Sequence, residues 1–345
     1  MDSETSKGTA LSEILRQSNH AIWTRRLWLG GLIVVTLAAA APPSAVAAER
    51  YALVVTGASG GPEYGAKYQA WRAAFVQTLK ETFGYPGDHV RVLGEDLDAA
   101  SKSTRENVRA ALADWRKRLT DDDMALVLLI GHGASDGDEA KFNLVGPDLD
   151  LAEWAALIKP LAGRIVFVNA SSGSFPFLAA LAGRNRVVLT ANDSAAQQFE
   201  TVFPDYFVKA FRDEAAYTDK NGKVSLLEAF AFASANVKEW FEQKGQLATE
   251  RSLIDDTGAG VGRDAETPGR DGQIAQITYL QPEVPPELAS NPELAALMRR
   301  RANVENQLAV LKSNKERMPI ERYEDELERL LLELARIDRL LRSKT

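Results

Sequence analysis

The sequence predicts an α/β sandwich, a mostly parallel sheet with helices on both faces, followed by an α-helical hairpin. Three observations predict it. Short apolar runs alternate with stretches of helical spacing from Tyr51 to Ala191. One run, Met124–Ile130, is apolar without interruption, as a central strand covered on both faces must be. Beyond residue 283 the apolar residues fall into steps of three and four, the spacing of a helix stripe.

Taken in order, the chain opens with an export segment, residues 1–48. Arg25 and Arg26 precede an apolar run of 15 residues, Leu27–Ala41, with small residues Ala45-Val46-Ala47-Ala48 behind it. A basic start, an apolar core too short to span a bilayer and a small-residue cleavage site read as a secretory signal cut near Ala47 or Ala48. Left uncut, the same segment would anchor the domain to the membrane. Thr24–Leu29 also has the look of a twin-arginine signal.

Tyr51–Gly57 is the first strand, ending in the turn Gly57-Ala58-Ser59-Gly60-Gly61. That turn has neither the Gly-Lys-Ser/Thr of a P-loop nor a full dinucleotide fingerprint, so it is a flexible rim. Ala66–Phe83 is helical through Tyr68, Trp71, Phe75 and Leu79. Val90–Leu93 is a strand, and Thr104–Leu119 a helix along Val108, Leu112 and Trp115. Ile165–Asn169 and Val187–Ala191 repeat the strand pattern. Strands separated by helices build βαβ units, and the chemistry of such sheets gathers at the strands' carboxyl ends.

Composition narrows the function. The net charge is −7 and the pI about 5.3, which argues against nucleic acid. There is no cysteine among the 345 residues, so disulfides, thiolate metal sites and thiol nucleophiles are excluded. The three histidines, His20, His89 and His132, have no metal-ligand spacing, and no metal or other cofactor is expected.

His132 follows the central strand between Gly131 and Gly133, and the next strand delivers Ala170-Ser171-Ser172-Gly173 to the neighbouring edge. A histidine and a nucleophile on adjacent strand ends is an arrangement for acyl transfer. At these residues the sequence resembles a family. Leu129-Ile130-Gly131-His132-Gly133 with Phe142-Asn143-Leu144 is similar to the histidine loop of caspase- and legumain-like cysteine peptidases, and Ile165–Phe175 stands where their nucleophile loop does. Val187–Ala191, Phe203–Phe207 and Thr249–Asp256 continue the likeness. It implies a caspase-like three-layer sandwich over residues 49–283 and a peptide-binding cleft.

The departure is at the nucleophile. Alignment on the strand end puts Ser171 at the cysteine's place, and alignment on the Ser-Gly pair puts Ala170 there. The expectation is therefore an exported pseudopeptidase that binds a peptide or protein. The alternative is a serine hydrolase using Ser171 or Ser172 with His132 as base, Asp136 or Asp138 as orienting acid, and Gly131, Gly133 or Gly173 as oxyanion donors. Ala170 would line the same cleft. The resemblance makes Thr190, Asn192 and Asp193 a wall of the specificity pocket.

Asp219–Glu228 has the look of a calcium loop contracted by two residues, and reads instead as a turn followed by a Ser225/Glu228 capping box. Asp255-Asp256 is a second acidic cluster. In the C-terminal region, residues 284–345, Leu297, Val304, Leu308 and Leu311 form one stripe, with Arg301 in an apolar slot. Tyr323, Leu327, Leu330, Leu334, Ile337 and Leu341 form another beyond Pro319. Together they make a hairpin that folds on itself, self-associates as a coiled coil or docks a partner; a third reading makes the chain a coiled-coil assembly protein carrying an inert domain.

Overall fold

The computed structural model describes residues 48–344 apart from 220, 268, 286, 287, 289, 316 and 317, so the segment expected from the sequence to direct export lies outside the described residues but for Ala48. The main sheet contains β1 (Arg50–Thr56), β2 (Val90–Leu93), β3 (Met124–Ile130), β7 (Arg164–Asn169), β8 (Arg186–Thr190) and β9 (Leu253–Asp255). A smaller antiparallel sheet is made by β4 (Gly133–Asp136), β5 (Glu139–Phe142) and β6 (Leu149–Asp150). The six strands of the main sheet run β2-β1-β3-β7-β8-β9, all pairs parallel except the β8–β9 edge.

Strand periodicity divides the core in two. Ala52 and Val54 of β1, Leu126 and Leu128 of β3, and Val166 and Val168 of β7 face one side. There they meet α1 (Pro62–Gln77), α5 (Phe203–Ala210) and α6 (Leu226–Gln243) through Phe75, Phe207 and Phe230. The alternate residues Leu53, Val127, Phe167 and Val188 face the other side. They meet α2 (Arg105–Arg118), α3 (Leu151–Ile158) and α4 (Phe175–Leu181) through Trp115, Trp154 and Phe177. Residues alternate between faces along a strand, so β3 is apolar throughout because each face meets its own helix layer. This is the three-layer α/β/α sandwich expected from the sequence.

Local chemistry fixes the helix starts. Thr104 accepts the Asn107 amide at the head of α2. Asp150 with Glu153, and Ser225 with Glu228, form complete capping boxes on α3 and α6. Glu228 also accepts from the Thr218 and Asp219 amides, so both its oxygens are occupied by donors from the turn. The acidic pair after β9 is scaffolding of the same kind. Asp255 accepts the Thr257, Gly258 and Gly260 amides, and Asp256 those of Gly272, Ile274 and Ala275. Among the described residues no group of His, Asp and Glu is arranged to hold a metal ion.

The C-terminal helices are α7 (Pro292–Ser313) and α8 (Ile320–Arg342). Every apolar position of the two sequence stripes joins one cluster between them. Arg301, in its apolar slot, pairs with Asp338 and Glu305 at 2.9 Å each, and Arg300 with Glu333. The pairs 300/333, 301/338 and 293/344 fix an antiparallel register. Ala302, Glu305 and Asn306 of α7 share a cavity with Arg50 and Arg164, which open β1 and β7. The hairpin therefore docks at the amino-terminal edge of the sheet, at the opposite pole from the strands' carboxyl ends. None of the described helices is long and apolar enough to cross a membrane.

Leu330 is almost completely buried in the hairpin interface. Leu330→Ala is expected to cost about 2–5 kcal/mol, read as a lower urea midpoint for the transition that melts the hairpin. An unchanged midpoint would contradict this packing.

Candidate functional site at the carboxyl edge of the sheet

Four parallel strands end side by side here, and their loops carry nearly all the residues singled out from the sequence. His132 leaves β3 half-buried, its ring edge-on to Tyr64 at 4.7 Å and to Tyr68 at 5.6 Å between centroids. Both tyrosines project from α1, four residues apart on one face. The His132 carbonyl accepts the Asn143 amide, which ties the histidine loop to the end of β5. Burial lowers the His132 pKa, while the charge of Glu200 and a backbone contact at Ser59 oppose that shift. Glu200 lies on the loop between β8 and α5 and pairs with Lys67 of α1 at 3.0 Å. Asp136 and Asp138 flank Gly137 at the exposed β4–β5 turn, and neither forms an ion pair with His132.

The serines of the next loop are bound inward. Ser171 is fully buried, and its Oγ donates to Asn169 Oδ1 at 2.6 Å, with the Ser172 carbonyl at 3.1 Å. Ser172 Oγ donates to the Gly133 carbonyl at 3.0 Å and accepts the Gly133 amide at 3.2 Å. Neither hydroxyl bonds to the imidazole. Ala170 is buried in the core, its amide on the Leu129 carbonyl and its carbonyl on Thr201 Oγ1. The Gly173 amide goes to the Gln197 carbonyl. Two of the three amides expected to face a developing oxyanion, those of Gly133 and Gly173, are thus engaged inside the fold, as is the amide of Ala170. The physical reason is proximity. A Cβ on Gly133 would lie 2.5 Å from the Ser172 carbonyl oxygen, so the two loops touch through backbone. Gly131 is also pressed close, against Gly57 and the Phe142 ring.

The third loop is bolted to the second. Ser174 Oγ accepts the Ala191 and Asn192 amides at 3.1 and 3.2 Å and donates to Asn192 Oδ1 at 3.1 Å. Thr190 and Asn192 are fully buried, and Thr190 Oγ1 donates to the Asn192 carbonyl. Asp193 is bound to Gln197 through side chain and backbone and lies 3.6 Å from Arg251. These residues, expected as a pocket wall, brace the loop. Buried polar atoms without a partner in the fold remain around them: Tyr68 Oη, Asn143 Oδ1, Asn169 Nδ2 and Asn192 Nδ2. Such atoms are uncommon in a finished fold and mark places where water or a ligand completes the bonding. Phe199, 67% exposed beside Glu200, adds an apolar side chain on the β8–α5 loop.

Sequence reasoning missed Tyr64, Lys67, Glu200 and Glu250. The signal for Tyr64 and Tyr68 was their spacing on one helix face. Glu200 and Glu250 carried no such signal, because long-range folding brings them in. Glu250 is buried at the amino terminus of α5, where it accepts the Val202 amide at 2.9 Å. Burial pushes its carboxyl up to about 8, against the Val202 and Phe203 amides that favour the ionised form.

A carboxyl with a raised folded pKa holds its proton longer in the native state than in the unfolded chain. Its contribution to stability is complete below the unfolded value of 4.5 and is lost as pH rises toward about 8. Glu250→Gln removes that loss. The melting temperature of the variant relative to wild type is expected to climb between pH 5 and 8.5, with a free-energy change on the order of several kcal/mol. A difference independent of pH would contradict the assignment.

No family model matches the chain, and no curated protein sequence matches it. Among solved structures it is similar to protein GSU0716 from Geobacter sulfurreducens, at 14% identity and a TM-score of 0.41, over 63% of this chain and 97% of that one. It is also similar to the Drosophila initiator caspase Dronc, at 12% identity and a TM-score of 0.38, over 64% of this chain and 84% of that one. Raptor from Chaetomium thermophilum is similar at 11% identity and a TM-score of 0.35, over 83% of this chain and 34% of that one.

Proposed function

We propose that this chain is an exported homologue of the caspase- and legumain-like peptidases that binds a peptide or protein segment at the His132 edge instead of cleaving it. The observation that carries the reading is the state of the would-be nucleophiles. The chain has no cysteine, and the hydroxyls of Ser171 and Ser172 are buried and spent on Asn169 and Gly133. An attacking serine needs its hydroxyl on the base and a vacant donor pair for the oxyanion. Here the donors of Gly133 and Gly173 are occupied as well.

Binding requires less. His132 and half-buried Tyr64, backed by buried Tyr68, offer an aromatic surface, the Lys67–Glu200 pair offers charge, and exposed Phe199 offers an apolar anchor. Aromatic side chains of this kind dominate binding energies when a partner covers them. On this reading, the segment read from the sequence as an export signal takes the domain outside the cytoplasm, either released or held at the membrane. The hairpin lies at the far pole from this edge, so a partner or a second copy engaged by its exposed Leu331, Leu332 and Leu340 leaves the His132 edge free.

The test is mass spectrometry after exposure to a fluorophosphonate serine probe and to a peptide library. No adduct and no cleaved peptide are expected, while some library peptides are retained. His132→Ala should weaken that retention by about tenfold or more. A stoichiometric adduct on Ser171 or Ser172 that disappears in His132→Ala, together with cleaved peptides, would replace this reading with a serine hydrolase.

A further inference from the structure

The second helix of the hairpin has two sides. α8 packs on α7 through Tyr323, Leu330 and Ile337, and Leu332 lies opposite that stripe with Leu331 and Leu340 at its flanks. These three leucines are about half exposed, at 48, 50 and 47% for Leu331, Leu332 and Leu340. With Ile320 they make up half of the large apolar side chains left exposed among the described residues. Single exposed apolar residues need no explanation, but a concentration on one helix marks a surface that something covers.

The charges of α8 indicate what covers it. Some are used inside the hairpin: Glu333 and Asp338 pair with Arg300 and Arg301, Glu326 with Arg329, and Lys344 with Glu293. The others form no ion pair among the described residues, and they sort by sign. Glu321, Asp325 and Glu328, with Glu324 beside them, precede Leu332, while Arg336, Arg339 and Arg342 follow it. Arg322, the exception, acts on Glu326. Lys315 approaches the start of α8 over the Tyr323 ring, 5.5 Å from its centre, and pairs with none of the acids.

Spacing sets these groups on the face of Leu332. Glu328 and Arg336 stand four residues either side of it, Asp325 and Arg339 seven, and Glu321 and Arg342 eleven and ten. Steps of four, seven and eleven return a helix to the same side, and all seven residues are exposed. The helix dipole also favours acids in the first turn and bases in the last. It fades within that turn, so it does not account for Glu328 or Arg336.

We propose that this face pairs with a second copy of the chain, the two α8 helices running antiparallel about a two-fold axis at Leu332. A two-fold contact uses one patch twice, so every acid needs a base at the mirrored position. Here Glu328 of one copy meets Arg336 of the other, and Asp325 meets Arg339; a parallel pair would set acid against acid. Leu331, Leu332 and Ala335 form the apolar centre, and the flanking charges fix orientation and choice of partner. One helix pair buries less surface than an obligate interface, so the dimer dissociates on dilution. The inference rests on the hairpin and is independent of the reading of the His132 edge.

The test uses the full mature chain. Sedimentation equilibrium is expected to show a reversible dimer that Leu332→Asp abolishes. Glu328→Arg should weaken it about tenfold or more, and adding Arg336→Glu should restore it. These side chains lie outside the buried stripe, so helix content by circular dichroism is expected to stay unchanged. The chain has no cysteine, so single cysteines report the geometry directly. With a short bis-maleimide, Leu332→Cys should cross-link copy to copy. Glu321→Cys should not cross-link to itself but should do so when mixed with Arg342→Cys. A monomer at every concentration, which would leave the face to a different partner, overturns the proposal. So does a dimer indifferent to Leu332→Asp, or one in which Glu321→Cys cross-links to itself.

Discussion

A parallel sheet ends in backbone groups that no further strand satisfies, and burying them unpaired is costly. At the carboxyl edge of this sheet the debt is met by short polar side chains. Ser172 takes both the donor and the acceptor of Gly133, and Ser174 takes two amides of the neighbouring loop while bonding to Asn192. The loops after β3, β7 and β8 therefore form one interlocked surface. Everything proposed for the His132 edge depends on that interlock, because the same bonds that make it rigid leave no hydroxyl free to attack.

The two poles of the domain are built on opposite principles. At the carboxyl pole, polar side chains close on one another and leave aromatic and apolar groups facing outward. At the amino pole, the cations Arg50, Arg164 and Lys223 and six carboxylates line one cavity beside α7. The first pole suits an extended polypeptide with side chains to insert. The hairpin borders the second pole, so it and the His132 edge lie at different ends of the domain.

Much of this was legible in the sequence because it rests on periodicity. The strands of the parallel core, the faces of α2 and both hairpin stripes follow from spacing alone, and each meets the neighbours that spacing demands. The capping box at Ser225 and Glu228 was legible because its partners lie three residues apart. The small sheet of β4, β5 and β6 was not: its strands are short and its turn depends on Gly137 with φ of 59°. The orientation of Ser171 and Ser172 was not legible either. Whether a hydroxyl faces a cleft or its own backbone is decided by how closely Gly133 approaches, a contact 39 residues apart in sequence.

Site-resolved amide hydrogen exchange tests the interlock most directly. The amides of Gly133, Ser174 and Asn192 should exchange as slowly as those of β3, since each is held by a buried side chain of another loop. Ser172→Ala should release Gly133 while leaving Ser174 and Asn192 protected. Exchange of all three at the rate of the neighbouring 194–198 loop would contradict the account, and would mean that the strand-end loops open readily enough to free a serine for chemistry.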